Sequence, residues 1–329
     1  MRELDPVLVL AELTDGVVSR STRALLTLAR RFGTPEVVLC GPAGDDTLSV
    51  LGRYGAPIVR TLWGPGVEEH PTAACVEALV ALAVRTPPAA ILLPADHAGH
   101  EIAARVAIRL DAGLISDAID VRPDDSGLVA TQSPPGGTHR VESTVVRGVP
   151  VCTVRTEAVP LVPAPVTARA RPFALDLPPH ARAVRLVERT AVAPGQRPDL
   201  ATAAVVVAGG RGVGSQDLFD LVGELADELG GALGGSHTAT ELGWCPRHAQ
   251  IDQTGCVIHP DLYLALGISG SVRHRAAVPD AGAIVAVDRD PAAPIFTIAD
   301  LGVVGDLRDV VPELLAEVRR RKSRPHTEV

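Results

Sequence analysis

The residues best suited to chemistry lie in the second half of the chain. An apolar run, Ala204 to Ala208, leads into Gly209-Gly210-Arg211-Gly212-Val213-Gly214, and Ser215 then opens a stretch of helical periodicity. Glycines let backbone N–H groups approach an anion at the positive end of a helix, so this order suits phosphate binding. A dinucleotide fingerprint requires G-x-G-x-x-G, whereas here Gly210-x-Gly212-x-x lands on Ser215 and misses by one residue. The segment is therefore also compatible with a tight turn and no ligand. Arg211 weighs against that, because a guanidinium inside a glycine turn is well placed to fork onto a phosphate or carbonyl.

Further segments add to this one. Gly234-Gly235-Ser236-His237 reads as a second glycine turn, presenting a hydroxyl and an imidazole, and Gln250-Ile251-Asp252-Gln253-Thr254-Gly255 is a third polar loop. Leu266 to His274 runs from a strand through Ser269, Gly270, Ser271 and Val272 to the cationic pair Arg273 and His274. Asp288 follows another strand, and Asp300 and Leu301 lie in IADLGVVGD. Carboxylates at such positions accept from ribose hydroxyls or simply face water. Ligands of an open parallel sheet bind beyond the carboxyl ends of its strands, where these loops converge if their strands are neighbours. The set lacks a nucleophile–base pair, which points to a cofactor cradle rather than a hydrolase. His97 and His100 sit three apart without a clear third ligand and read as loop and helix-start residues. The basic run Arg319 to Arg324 suits a helix carboxyl end.

These loops need elements to hold them. In the first half, Val7 to Leu10 reads as a strand, Ser21 as the cap of a helix carrying Leu25, Leu28 and Ala29, and Val37 to Leu39 as the next strand. A helical stripe at Cys75, Leu79, Leu82 and Ala83, a strand at Ala90 to Leu93 and a helix from Ile102 to Leu110 repeat the parallel crossover pattern. From Leu128 to Arg155 short β-rich pieces predict an antiparallel edge, with turns at Pro134-Pro135-Gly136-Gly137 and Gly148-Val149-Pro150. The six prolines between 158 and 179 exclude helix and predict an extended connector. In the second half, Leu218, Val222, Leu225 and Leu229 stripe a helix ended by Gly230-Gly231. Strands follow at Leu262 to Ile268 and Ala283 to Val287, and a last helix runs to about Lys322. The expected fold is α/β in two domains: an open α/β sheet with an antiparallel edge over 1–185, a linker over 186–203, and a doubly wound parallel sheet over 204–329.

Composition excludes other classes. The 329 residues carry a net charge of −8, so a nucleic-acid backbone would be repelled by the average surface. Phe, Trp and Tyr together number eight, too few for base-stacking platforms, and cores must be built of Ala, Val, Leu and Ile. Five widely spaced cysteines without a CxxC fit reduced thiols and a cytoplasmic protein. Acids flank the short apolar stretch near the start, unlike a signal peptide, and no run approaches the ~20 apolar residues of a membrane span.

Four segments in one order, VVVAGGRGVGS (Val205 to Ser215), QTG (Gln253 to Gly255), PDLYLALGISGSVRH (Pro260 to His274) and DRDPAAPIFTIADLGVVGDL (Asp288 to Leu307), resemble the alpha subunit of electron-transfer flavoprotein. A looser match at Ile91 to Val121 extends the likeness over nearly the whole chain. The resemblance implies an N-terminal partner-binding domain, a C-terminal FAD domain and a separate beta subunit. Electrons would pass from flavin dehydrogenases, such as acyl-CoA dehydrogenases of fatty-acid oxidation, to a quinone-linked oxidoreductase, with no substrate turnover by this chain. It places FAD contacts at Arg211, Ser236, His237, Ile251 to Thr254, Ser269 to His274, Asp288, Asp300 and Leu301. Thr254 would approach flavin N5 and His274 flavin O2, where a cationic donor favours reduced flavin. His237, Arg273 and Asp288 stand where the family usually has arginine, glutamine and asparagine, so positive charge beside the ring becomes conditional at His237 and is partly restored by Arg273. Two other readings remain: an NAD- or FAD-dependent oxidoreductase, and a nucleotide-binding interaction protein without redox function.

Overall fold

The computed structural model describes residues 5–14, 16–124, 127–133, 139–156, 159–188, 197–278 and 281–322. They form two compact units, the first ending by Glu188 and the second beginning at Arg197.

The first unit opens with β1 (Pro6–Ala11), a hairpin of β2 (Leu13–Thr14) and β3 (Val17–Val18), and α1 (Arg20–Ala29). It continues through β4 (Thr34–Cys40), α2 (Asp45–Arg53), β5 (Ile58–Trp63), α3 (Pro71–Arg85), β6 (Ala90–Pro94) and α4 (His97–Arg109). The last five strands are β7 (Leu114–Asp124), β8 (Gly127–Gln132), β9 (Val141–Thr144), β10 (Val151–Val154) and β11 (Arg169–Ala174). The nine-stranded sheet has the order β11-β5-β4-β1-β6-β10-β7-β8-β9. Leu25, Leu28 and Leu51 bury α1 and α2 on one face, and Leu79, Leu82, Ile102 and Val106 bury α3 and α4 on the other. Both faces of the central strands are dry, which explains their unbroken apolar runs.

Several local details differ from expectation. Ser19, not Ser21, caps α1, its hydroxyl accepting from the Thr22 N–H. The antiparallel edge consists of β7, β8 and β9. By contrast β10 is fully buried and pairs parallel with both β6 and β7, because its four residues pack on either side of the sheet. The proline-rich connector contains β11, parallel to β5. Pro172 is tolerated there because β11 is an edge strand with no neighbour needing its missing N–H. Gly148 has φ +74° at the bend before β10, while the expected Pro134 to Gly137 turn lies outside the described residues. Asp96 caps α4, which starts at His97 and carries His100 in its first turn.

The second unit contains β12 (Val205–Gly209), α5 (Gln216–Leu229), β13 (Ala232–Gly235), α6 (His237–Glu241), β14 (Leu262–Leu266), α7 (Val272–Arg275), β15 (Ala283–Asp288), β16 (Leu301–Val304) and α8 (Leu307–Lys322). All five strands run parallel, in the order β13-β12-β14-β15-β16. One face is covered by α5 and α8 through Leu218, Val222, Leu225, Val311 and Leu315. The other is covered by Ile251, Ile258, Ile268 and Ala277 from the irregular chain around α7. The basic end of α8 ties two helices together, since Arg319 pairs with Glu224 and Glu228 on α5, each at 2.9 Å. Gly230, in the left-handed region, ends α5 as its sequence predicts.

Candidate functional site

In the second sheet β13 lies on one side of β12 and β14 on the other, so the chain changes direction beside β12. The carboxyl ends of β12 and β14 therefore diverge into a crevice, the usual ligand position of such sheets. Two glycine turns form its floor. The Gly210 N–H donates to Leu266 O at 2.8 Å and the Gly212 N–H to Gly267 O at 2.9 Å, tying the turns together. Gly267 has φ +63°, and a Cβ there would lie 2.7 Å from the Gly212 carbonyl carbon. Larger residues would push the backbones apart and fill the floor.

The cleft has a volume of about 520 Å³ and is lined by Arg211, Gly212, Ser236, His237, Thr238, Asp252, Gly267 to Ser271, Arg273, His274, Asp288 to Asp290 and Ala293. A smaller adjoining cleft, of about 290 Å³, shares Arg211, Gly212, Gly267, Asp288 and Arg289. Of the sequence-derived candidates, Arg211, Ser236, His237, Asp252, Ser269, Gly270, Ser271, Arg273, His274 and Asp288 thus line one cleft. Ile251 is buried beneath it, while Gln253, Thr254 and Val272 are exposed beside lining residues. Asp300 and Leu301 are brought elsewhere. Asp300 accepts from the Ile284 N–H and Leu301 pairs with Val285, at the amino ends of β15 and β16, while Asp288 closes the carboxyl end of β15.

The structure adds residues that the sequence did not single out. Arg289 and Asp290 extend the wall begun by Asp288. Asp306 and Leu307, past the far end of β16, line the adjoining cleft. An Asp-Leu pair occurs twice in this stretch, six residues apart, and four residues of strand carry the chain from one sheet end to the other. That spacing was the available signal. Gly234 and Gly235 belong to β13 rather than to a turn, and Ser236 begins the loop. They are glycine because a Cβ would strike Ile251 at the first and Cys245 Sγ at the second.

Several of the polar groups are held by their neighbours. The Asp252 carboxylate, 3% exposed, accepts from the Gln250 amide (2.8 Å), the Thr254 N–H (2.7 Å) and the Thr254 hydroxyl (2.8 Å). Burial pushes its pKa up, but these hydrogen bonds prevail and hold it below the usual range. His237 lies 3.2 Å from Glu241 and 3.9 Å from Asp252, and its Nδ1 contacts Gln250 at 3.3 Å. Asp288 accepts from the Asp290 N–H, and Ser236 from the Ala239 N–H. His274 is buried, with Nε2 2.7 Å from the Tyr263 hydroxyl. Burial drives its pKa down to about 4, outweighing the Ile251 carbonyl and the Asp252 carboxylate, which favour a charged ring. The sequence suggested half of a cationic pair; in this pocket the imidazole is neutral near pH 7.

Two features call for an anionic, hydrogen-bond-accepting ligand. Arg211 and Arg273 share the cleft. The His274 Nδ1 is buried without a hydrogen-bond partner, a cost that an acceptor supplied from the cleft would relieve. A flavin dinucleotide, with a diphosphate and a ring bearing carbonyl oxygens, matches this donor set. Among the described residues no cluster of side chains could hold a metal ion, and no helix is long and apolar enough to cross a membrane.

Comparison with known proteins agrees with the geometry. Residues 7–177 match the electron transfer flavoprotein domain, and residues 199–279 match the electron transfer flavoprotein FAD-binding domain. The electron transfer flavoprotein subunit alpha of Mycobacterium leprae is 41% identical over 318 residues, covering 96% of this chain and 98% of that protein. The subunit alpha of Bacillus subtilis is 34% identical, covering 95% and 97%. Protein FixB of Clostridium saccharobutylicum is 31% identical, covering 95% and 96%.

Proposed function

The chain belongs to the electron transfer flavoprotein alpha-subunit family, and on that footing we propose that it takes electrons from flavin dehydrogenases, such as acyl-CoA dehydrogenases, and passes them toward a quinone-linked acceptor. It acts as a carrier, in a heterodimer with a beta subunit in the cytoplasm, and its N-terminal region, 1–185, meets the partners. FAD is its cofactor, and the bound isoalloxazine supplies the electron-accepting chemistry.

The observation that carries the cradle reading is the convergence of Arg211 and Arg273 on one glycine-floored cleft at the switch point of the second sheet. Neither guanidinium has a hydrogen bond or ion pair with another described residue. Both are free to neutralise a diphosphate. The turn around Ser269, Gly270 and Ser271 offers hydroxyls and N–H groups beside them, and Asp288 suits ribose hydroxyls. Asp252 fixes the 250–255 loop from within, holding Thr254 at the rim, and His274 offers a neutral donor to the flavin pyrimidine edge. Asp306 and Leu307, rather than Asp300 and Leu301, extend the cradle at the end of β16.

Co-purification with the beta subunit tests the reading. Yellow protein with extractable FAD, reduced by a partner dehydrogenase and inert toward NADH, is expected. Direct oxidation of NADH or a small substrate would favour an oxidoreductase, and colourless protein binding AMP or ADP would favour a nucleotide-binding interaction protein.

A further inference from the structure

Tyr263 is the second residue of β14, the strand between β12 and β15, and its side chain is wholly buried on the sheet face covered by the chain around α7. A phenol so placed must spend its O–H on an acceptor inside the protein. Its one hydrogen-bond partner among the described residues is His274 Nε2, at 2.7 Å. The His274 Nδ1 has none. The Ile251 carbonyl is near enough to favour protonation of the ring, yet it is not placed as an acceptor for Nδ1.

Two arrangements of hydrogens are open. If Nε2–H donated to the phenol oxygen, the phenol hydrogen would be stranded in an apolar core and Nδ1 would present a lone pair to nothing. If the phenol donates to Nε2, its hydrogen is satisfied and a single donor, Nδ1–H, is left over. The second leaves fewer buried groups unmet, and a stranded buried donor loses its hydration with nothing in return.

We propose that Tyr263 is a positioning residue that fixes His274 in the Nδ1–H tautomer, making it an uncharged hydrogen-bond donor to the cofactor in the cleft. This rests on the cleft being the FAD site. The groups around the ring agree with an uncharged state: Tyr263 at Nε2, Arg273 and Arg275 next to it in sequence on α7, and Asp252 as the one opposing carboxylate among the described residues. The burial that lowers the imidazole pKa to about 4 acts in the same direction. His274 would then donate with the same strength across the neutral pH range, unlike an exposed imidazole, which changes charge there.

The full chain with its beta subunit, carrying ¹⁵N-labelled histidine and freed of flavin, gives a direct readout. The His274 resonances are identified by their loss in His274→Gln. A protonated Nδ1 and bare Nε2 are expected from pH 8 to about pH 5, and a mixture of tautomers in Tyr263→Phe. A wild-type ring protonated on Nε2, or a Tyr263→Phe ring with an unchanged tautomer, overturns the proposal. A second measurement uses FAD itself. Tyr263→Phe should weaken FAD binding about 3- to 10-fold and cause no further loss in a His274→Gln background. Equal losses in both backgrounds mean a general packing role and also overturn it. A wild-type chain that never takes up FAD would instead defeat the cofactor reading, while the tautomer measurement still decides the role of Tyr263.

Discussion

In the first unit the chain reverses beside β1, so the carboxyl ends of β1 and β6 part; in the second it reverses beside β12, and β12 and β14 part. The two crevices arise from the same topology and hold opposite chemistry. After β1 comes Glu12 and after β6 comes Asp96. The Asp96 carboxylate caps α4 through the Gly99 N–H at 2.7 Å, so the positive end of that helix is already satisfied by an acid of the chain itself. The Glu12 pKa is pushed up to about 7 by burial and by the neighbouring Asp96. A phosphate would meet two acids there. In the second unit, α5 is capped by the neutral hydroxyl of Ser215, and the crevice holds glycines, Arg211 and Arg273. Parallel topology makes a place for a ligand, and the side chains at strand ends decide whether an anion can use it.

The largest expected effect separates the two units by their glycines. Gly267→Ala forces φ +63° on a residue with a Cβ and drives that atom into Gly212 and Leu307, each 2.7 Å away. It should destabilise the second unit by about 2–4 kcal/mol and abolish FAD uptake. Gly41→Ala, after β4, has a positive φ but open space around it; a loss of about 1–2 kcal/mol with FAD uptake intact is expected. Denaturant titration read by exchange protection of β14 and β4 compares them, and equal losses would erase the distinction.

Next in size is the loss of charge. Arg211→Ala should weaken FAD binding about 10- to 100-fold while leaving the flavin-free unfolding midpoint unchanged. Glu12→Gln should leave FAD binding unaltered. Equilibrium dialysis of both variants checks the pair, and an Arg211→Ala protein with full FAD occupancy would remove the guanidinium from the cradle.

The smallest effects are in pH dependence, and they have opposite signs. Glu12 binds its proton more tightly folded than unfolded, so its contribution is full below about pH 4.5 and is lost as pH rises toward 7. His274 binds its proton less tightly folded, so its contribution is full above about pH 6.5 and is lost as pH falls toward 4. Between those limits acidification should strengthen protection around β1 and weaken it around β14. Hydrogen exchange at stepped pH measures this. Glu12→Gln should flatten the first slope and His274→Gln the second, and a single shared slope in both units would contradict the assignment.

Much of the second unit was legible in its sequence. Val206 to Ala208 is buried and adjoins glycines, and the stripe of α5 ends at Gly230, because hydrophobic period and chain punctuation are local properties. The cleft wall from Ser269 to His274 was legible because it follows directly on a strand. What local pattern missed were positions set by neighbours. Gly234 and Gly235 looked like a turn and are a strand, since the space that excludes a side chain belongs to Ile251 and Cys245. Val151 to Val154 looked like part of an antiparallel edge and is a central parallel strand, since partner choice depends on which apolar surfaces are left to cover.

The amino-acid order alone determined the elements, the two-part division of chemistry and the resemblance to flavoproteins, for these depend on residue type and spacing along the chain. The tertiary structure decided which end of each strand faces the cleft, sending Asp300 away and bringing Asp306 in. It also decided charge: Arg273 and His274 are adjacent cations on paper, but one remains at the cleft surface and the other loses its proton through burial, beside Tyr263. The reason is physical. A side chain's protonation and direction depend on its solvent exposure and on partners distant in sequence, which exist only once the sheet has assembled.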